Sequence, residues 1–174
     1  MTDQAELKMA ICAAFASVEY PGDGCLRGSS LGKEPYLLEQ EFKGLTDWSR
    51  LDATFLDNAP GGYGSALSFF SQEAFRFYLP AYLIADIDRK LVKVDPVMTL
   101  CVGFDDRPNL KIISRRYGGG TAFEAKRHRF SMLARDQATA VTGYLEFRRD
   151  MADCDFDLIE QALANYWKER VGGV

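Results

Sequence analysis

The sequence predicts a mainly α fold: a single-domain helical bundle of about six to eight helices over residues 1–174, with one small β-hairpin near 97–117 as the alternative for that stretch. Three observations predict it. Apolar residues recur at three- and four-residue steps through most of the chain. Hydrophobic residues are 47% and charged residues 26% of 174, an ordinary globular composition in a chain long enough to bury one core. No internal repeat, low-complexity tract or long linker divides it, and no apolar run reaches membrane-span length.

Taken in order, Asp3 and Glu6 have capping-box-like spacing, and Leu7, Ile11, Ala14, Phe15 and Val18 then share one helical face. Tyr20-Pro21-Gly22-Asp23-Gly24 ends that helix. Glu34-Pro35 starts a second, with proline in its first turn and Leu37, Leu38, Phe42 and Leu45 on one side. Thr46 or Asp47 caps a third helix holding Trp48, Leu51, Phe55 and Leu56. Asn58 to Gly64 is a turn. The fourth helix is the most apolar and aromatic part of the chain. Ser71 is its N-cap, Phe70 and Phe75 have staple spacing, and Phe75, Leu79, Tyr82, Leu83, Ile87 and Leu91 line one face. Arg89, Lys90 and Lys93 suit its last turn, and Pro80 predicts a kink or pause within it.

The run Leu67 to Leu83 resembles a bacterial domain family of unknown function, whose members carry a Ser-x-Glu-Ala-Phe-Arg-Phe-Tyr-Leu-Pro-Ala-Tyr-Leu helix. Weaker matches lie at Trp48 with Leu51, at Arg127-His128-Arg129-Phe130, and from Gln137-Ala138 to Tyr144-Leu145-Glu146-Phe147. The resemblance covers most of the chain and implies a mostly helical fold. It implies no activity.

Beyond it, Asp95-Pro96 opens a helix over Val97 to Phe104, and Leu110 to Ile113 could instead pair with that stretch as a hairpin. Residues 105–125 read as a mobile, basic, glycine-rich loop within the domain. Phe123 to Leu133 is a short helix, Asp136 opens another, and Asp157 with Glu160 caps the last. Leu158, Ile159, Ala162, Leu163, Tyr166 and Trp167 give that last helix its apolar stripe, and Gly172-Gly173 stop it.

Composition removes several chemistries. One histidine and four scattered cysteines make no zinc or iron motif, so no metal and no cofactor are expected. The cysteines read as buried thiols. Asp150, Asp153, Asp155 and Asp157 lack the glycine and terminal glutamate of a calcium loop. Gly61-Gly62-Tyr63-Gly64 and Gly118-Gly119-Gly120 match no phosphate-binding loop. His128 has no local signature of a nucleophile–base pair, and no catalytic residue is assigned. The start Met1-Thr2-Asp3-Gln4-Ala5-Glu6 lacks a basic leader, so the cytoplasm is the expected compartment.

Net charge is −4, unevenly spread. From Arg107 to Arg129 seven basic residues face one acid, leaving that segment at +6 and the rest at −10. The overall balance argues against nucleic acid as partner. The basic segment has two readings. Its arginines pair with acids of the same fold, or Arg115, Arg116, Tyr117, Arg127, His128 and Arg129 grip an anion or acidic partner. A further candidate pocket lies at the Pro80 helix, where Tyr78 and Tyr82 would border it. The sequence therefore predicts a small cytoplasmic, non-catalytic interaction protein, of the kind immunity and antitoxin proteins are. Its acidic faces suit a basic protein partner. The alternative is an enzyme or small-ligand-binding protein built around the Pro80 pocket.

Overall fold

Capping residues decide where each helix of this chain begins, and the computed structural model shows which of the candidates act. It describes residues 3–61, 65–105, 112–115, 119–152 and 154–172. These contain helices and turns, with no strand among the described residues. The mainly α class expected from the sequence is the observed one. Contacts group the chain into two compact units, one of Ile11–Pro96 and one of Val97–Val174 with the first ten residues.

The helices are α1 (Gln4–Phe15), α2 (Glu34–Phe42), α3 (Ala53–Asn58), α4 (Ala66–Phe69), α5 (Gln72–Ile87), α6 (Pro96–Cys101), α7 (Ala122–Phe130), α8 (Arg135–Asp150), α9 (Phe156–Ala162) and α10 (Lys168–Gly172). In the Ile11–Pro96 unit, Phe42 is the hub. Its ring lies 4.8 Å from Phe70 and 5.0 Å from both Phe55 and Tyr78, and Phe70 stacks on Tyr78. Offset and edge-on pairs of this kind favour one arrangement of the core over others. Ser71 caps α5 as expected: its Oγ accepts from Ala74 N at 3.0 Å and donates to Cys25 O at 2.5 Å. Gly28 is fixed by close approach, since its N–H reaches Phe69 O at 2.7 Å and a Cβ there would meet Phe70 O at 2.6 Å.

Several expectations need correction. The helix expected from Asp47 to Leu56 is two pieces. Asp47 caps a single 3₁₀ turn, Trp48–Arg50, and Asp52 then takes extended backbone and caps α3 afresh through Thr54 N and Phe55 N. Two good N-caps five residues apart divide what apolar spacing alone reads as one helix. Helix α5 continues through Pro80 without the expected pause: proline removes one hydrogen bond, and burial of Phe77 to Leu83 holds the turn around it. It ends at Ile87, before the basic residues. Arg89 adopts φ 55°, with Arg89 N on Asp86 O and Lys90 N on Ala85 O, a Schellman cap carried by arginine instead of glycine.

In the other unit, Val97–Cys101 is helical, so the hairpin pairing expected near 97–117 does not form there. Ile112 and Thr121 make one isolated antiparallel bridge. Of the expected loop 105–125, residues 106–111 and 116–118 lie outside the described residues, and Ala122 to Ala125 already belong to α7. The last helix starts at Phe156 with no side-chain cap, so Asp157 lies inside it and not at its cap. Helix α9 passes into α10 through a π turn, Leu163–Trp167, which brings Leu163, Tyr166 and Trp167 all into the core. Phe104 stacks on Tyr166 at 4.3 Å, and Phe130 lies 5.2 Å from Trp167. The cysteines also differ from expectation: Cys101 is buried, while Cys12, Cys25 and Cys154 are exposed, because each of the three falls on a polar stretch or the outer side of a helix.

Candidate functional site

Helix α7 is short and strongly basic, and its position follows from two local signals. Thr121 and Glu124 form a reciprocal capping box, with Thr121 Oγ1 accepting from Glu124 N at 3.2 Å and Glu124 Oε2 accepting from Thr121 N at 3.0 Å. Glu124 is held below the usual carboxylate range by these bonds. The Thr-x-x-Glu spacing is legible in the sequence and places the start one residue before Phe123. At the other end, Arg127, His128 and Arg129 complement the helix dipole.

The periodicity of α7 separates its cations into two sets. Arg127 and His128 are exposed. Lys126 and Arg129, three residues apart, are half-buried. Lys126 Nζ donates to Thr99 O at 2.6 Å and lies 5.6 Å from the centre of the Phe130 ring. Its stem runs against Gly103, whose φ of 101° ends α6; a Cβ on Gly103 would come 3.1 Å from Lys126 Cγ. Burial first, and then the like charge of Arg129, bring the Lys126 amine down to about 8, against a smaller opposing pull from the Cys101 sulfur. Burial likewise lowers the Arg129 guanidinium to about 10. Arg127 and Arg170 stand near the Tyr166 phenol and favour its ionised form, while burial raises it further.

None of Arg115, Lys126 and Arg127 has a carboxylate partner among the described residues. The ion pairs of the molecule that can be placed are Arg27–Glu39, Lys90–Asp88 and Arg149 with Asp150 and Glu160. Of the basic residues singled out from the sequence, Arg127, His128 and Arg129 therefore share α7, and Arg115 is exposed ahead of it. Arg116 and Tyr117 lie outside the described residues. Sequence reasoning missed the inward pair Lys126 and Arg129, although their i, i+3 spacing on a capped helix was the available signal.

Tyr78 and Tyr82 stand elsewhere, in the core of the Ile11–Pro96 unit. Tyr78 is fully buried and its hydroxyl donates to Leu45 O at 2.8 Å. Tyr82 is equally buried, and its hydroxyl has no hydrogen-bond partner. A cleft does run beside the Pro80 turn, but neither tyrosine lines it. It holds about 350 Å³, and Trp48, Leu51, Ala81, Ile84 and Ala85 form its apolar part. Its floor is made by small side chains on successive turns of α5, which carry no strong periodic signal. Among the described residues no group of three or more His, Cys, Asp or Glu has metal-binding geometry, and no helix is long and apolar enough to cross a membrane.

Residues 3–171 match the model described as a family of unknown function, DUF6714. No curated protein and no solved structure matches the chain.

Proposed function

The chain belongs to DUF6714, a family to which no activity is attached, and we propose from the site alone that it is a non-catalytic interaction protein that holds an acidic partner on the basic face of α7. The observation that carries this reading is the desolvated pair Lys126 and Arg129, flanked by Arg127 and Arg115, with no carboxylate set against Arg115, Lys126 or Arg127 among the described residues. Half-burying two like charges is costly, and an incoming carboxylate or phosphate relieves the cost while gaining charge-assisted hydrogen bonds. The sequence favoured a basic partner on the acidic faces; the position of these cations favours an acidic one.

Binding of an acidic segment restores the Lys126 amine towards its ordinary value, so complex formation near pH 8 takes up a proton. Titration calorimetry with a fluorescein-tagged oligoglutamate peptide, in two buffers of different ionisation enthalpy, reads this uptake directly. The exposed pair R115A/R127A should weaken that peptide at least tenfold, as loss of charge-assisted bonds does, and leave the melting temperature unchanged. Equal binding by wild type and the double variant, or binding without proton uptake, would refute the reading.

A further inference from the structure

We propose that the cleft beside the Pro80 turn binds a small organic ammonium ion, with its apolar or aromatic body against Trp48 and its charge at Asp52. The argument begins with how the cleft is built. Asp47 caps the Trp48–Arg50 turn, its Oδ1 accepting from Ser49 N at 3.0 Å and Ser49 Oγ at 2.7 Å. Asp52 caps the next helix with Oδ2, accepting from Thr54 N at 3.0 Å and Phe55 N at 3.3 Å. These two caps hold Trp48 across from Ala81, Ile84 and Ala85 of α5. The volume, about 350 Å³, is at the small end of the range for ligand sites.

The charges around it select the ligand. Asp52, Asp88 and Lys90 are its ionisable carboxylate and ammonium groups. Lys90 Nζ is engaged by Asp88 at 3.2 Å, so that pair is internally balanced. Asp52 has no cation beside it, and its second carboxylate oxygen has no partner among the described residues. The unit as a whole carries twelve acidic against eight basic residues. Trp48 is half-buried, and its indole face is the strongest aromatic surface for a cation. An anion would meet an uncompensated carboxylate, and a neutral apolar molecule would leave Asp52 desolvated without gain. Cys12 stands at the rim with an exposed thiol, which makes occupancy measurable.

The test uses phenethylamine, with 2-phenylethanol as the uncharged molecule of similar shape. Trp48 emission should change saturably with phenethylamine, and alkylation of Cys12, followed by peptide mass mapping, should slow as the site fills. The alcohol should bind about tenfold or more weakly, the difference expected for one hydrogen bond to a charged group. D52N keeps an effective helix cap, so it should fold normally and lose the preference for the amine. Equal affinity for amine and alcohol, an unchanged preference in D52N, or alkylation of Cys12 that ignores the amine would each overturn the proposal. R115A/R127A should leave all three readings unchanged, which separates this site from the one on α7.

Discussion

The two units of the chain solve the same problem with opposite chemistry. In the Ile11–Pro96 unit, loop N–H groups are met by carboxylates. Asp23 takes Gly44 N, Glu41 takes Gly61 N, and Asp47 and Asp52 cap the turns after them. Asp57, only 9% exposed, accepts from Val92, Lys93 and Val94 N with one oxygen at 2.8–3.0 Å. In the other unit, loop carbonyls are met by donor side chains. Lys126 takes Thr99 O, Trp167 takes Leu100 O, Asn165 takes Phe104 O, Arg170 takes Leu133 O and Arg135 takes Val171 O. The capping box of α7 and Gln137 at the start of α8 are exceptions within it. The charge balance follows the pattern: the first unit holds twelve acids against eight bases, the second thirteen against thirteen. Uneven charge along this chain is thus partly backbone satisfaction, and only the cations left without an acid point outward to a partner.

The largest test of the contrast is Asp57. Removing its carboxylate in D57A leaves three N–H groups without an acceptor and should cost about 3 kcal/mol in urea unfolding. D57N, which keeps one oxygen, should cost about half as much. Burial opposes ionisation of Asp57, but its three N–H bonds prevail and its pKa falls below the ordinary value. The stability it supplies is therefore complete above about pH 4 and is lost as pH falls through the lowered folded value. A D57A cost that persisted unchanged at low pH would break the acid half of the comparison.

Lys126 tests the other half with the opposite sign. Its folded pKa of about 8 lies below the 10.5 of a free lysine. Between those values the unfolded chain binds more protons, so stability rises with pH there, by an amount on the order of 1–2 kcal/mol after allowance for its partial exposure. K126M removes the titrating group, and the difference between wild type and variant should shift over that interval. A constant difference from pH 7 to pH 10 would mean the amine is not desolvated. The smallest effect concerns Tyr82, whose buried hydroxyl lacks a partner while that of Tyr78 has Leu45 O. Y82F should be neutral or stabilising by up to about 1 kcal/mol, and Y78F destabilising by a similar amount. Equal effects of the two substitutions in thermal unfolding would show that the distinction has no energetic weight.

How much of this the sequence discloses depends on which interactions are local. The Ser71 cap and the apolar face of α5 are legible, because capping and periodicity act within one helix. The Asp52 cap is hidden inside an apolar pattern that continues across it. The inward position of Lys126 and Arg129 needed the helix start, which Thr121 and Glu124 encode but a reading by charge alone passes over. The cleft is least legible, since Trp48 and the Ala81, Ile84 and Ala85 face meet only after the chain folds back. Asp57 is illegible for the same reason: its three partners lie more than thirty residues away.

The π turn at Leu163–Trp167 has a consequence for which changes of length the chain tolerates. A wide turn is an α-helix with one residue too many, so it acts as a stored insertion. Deleting one residue within it would leave an intact helix but rotate everything beyond by about 100°. Arg170 would then swing off the Leu133 carbonyl and Arg135 would lose Val171. The end of the protein is thus fastened by a residue count, and relatives that differ in length by one residue in this helix must fasten it in another way.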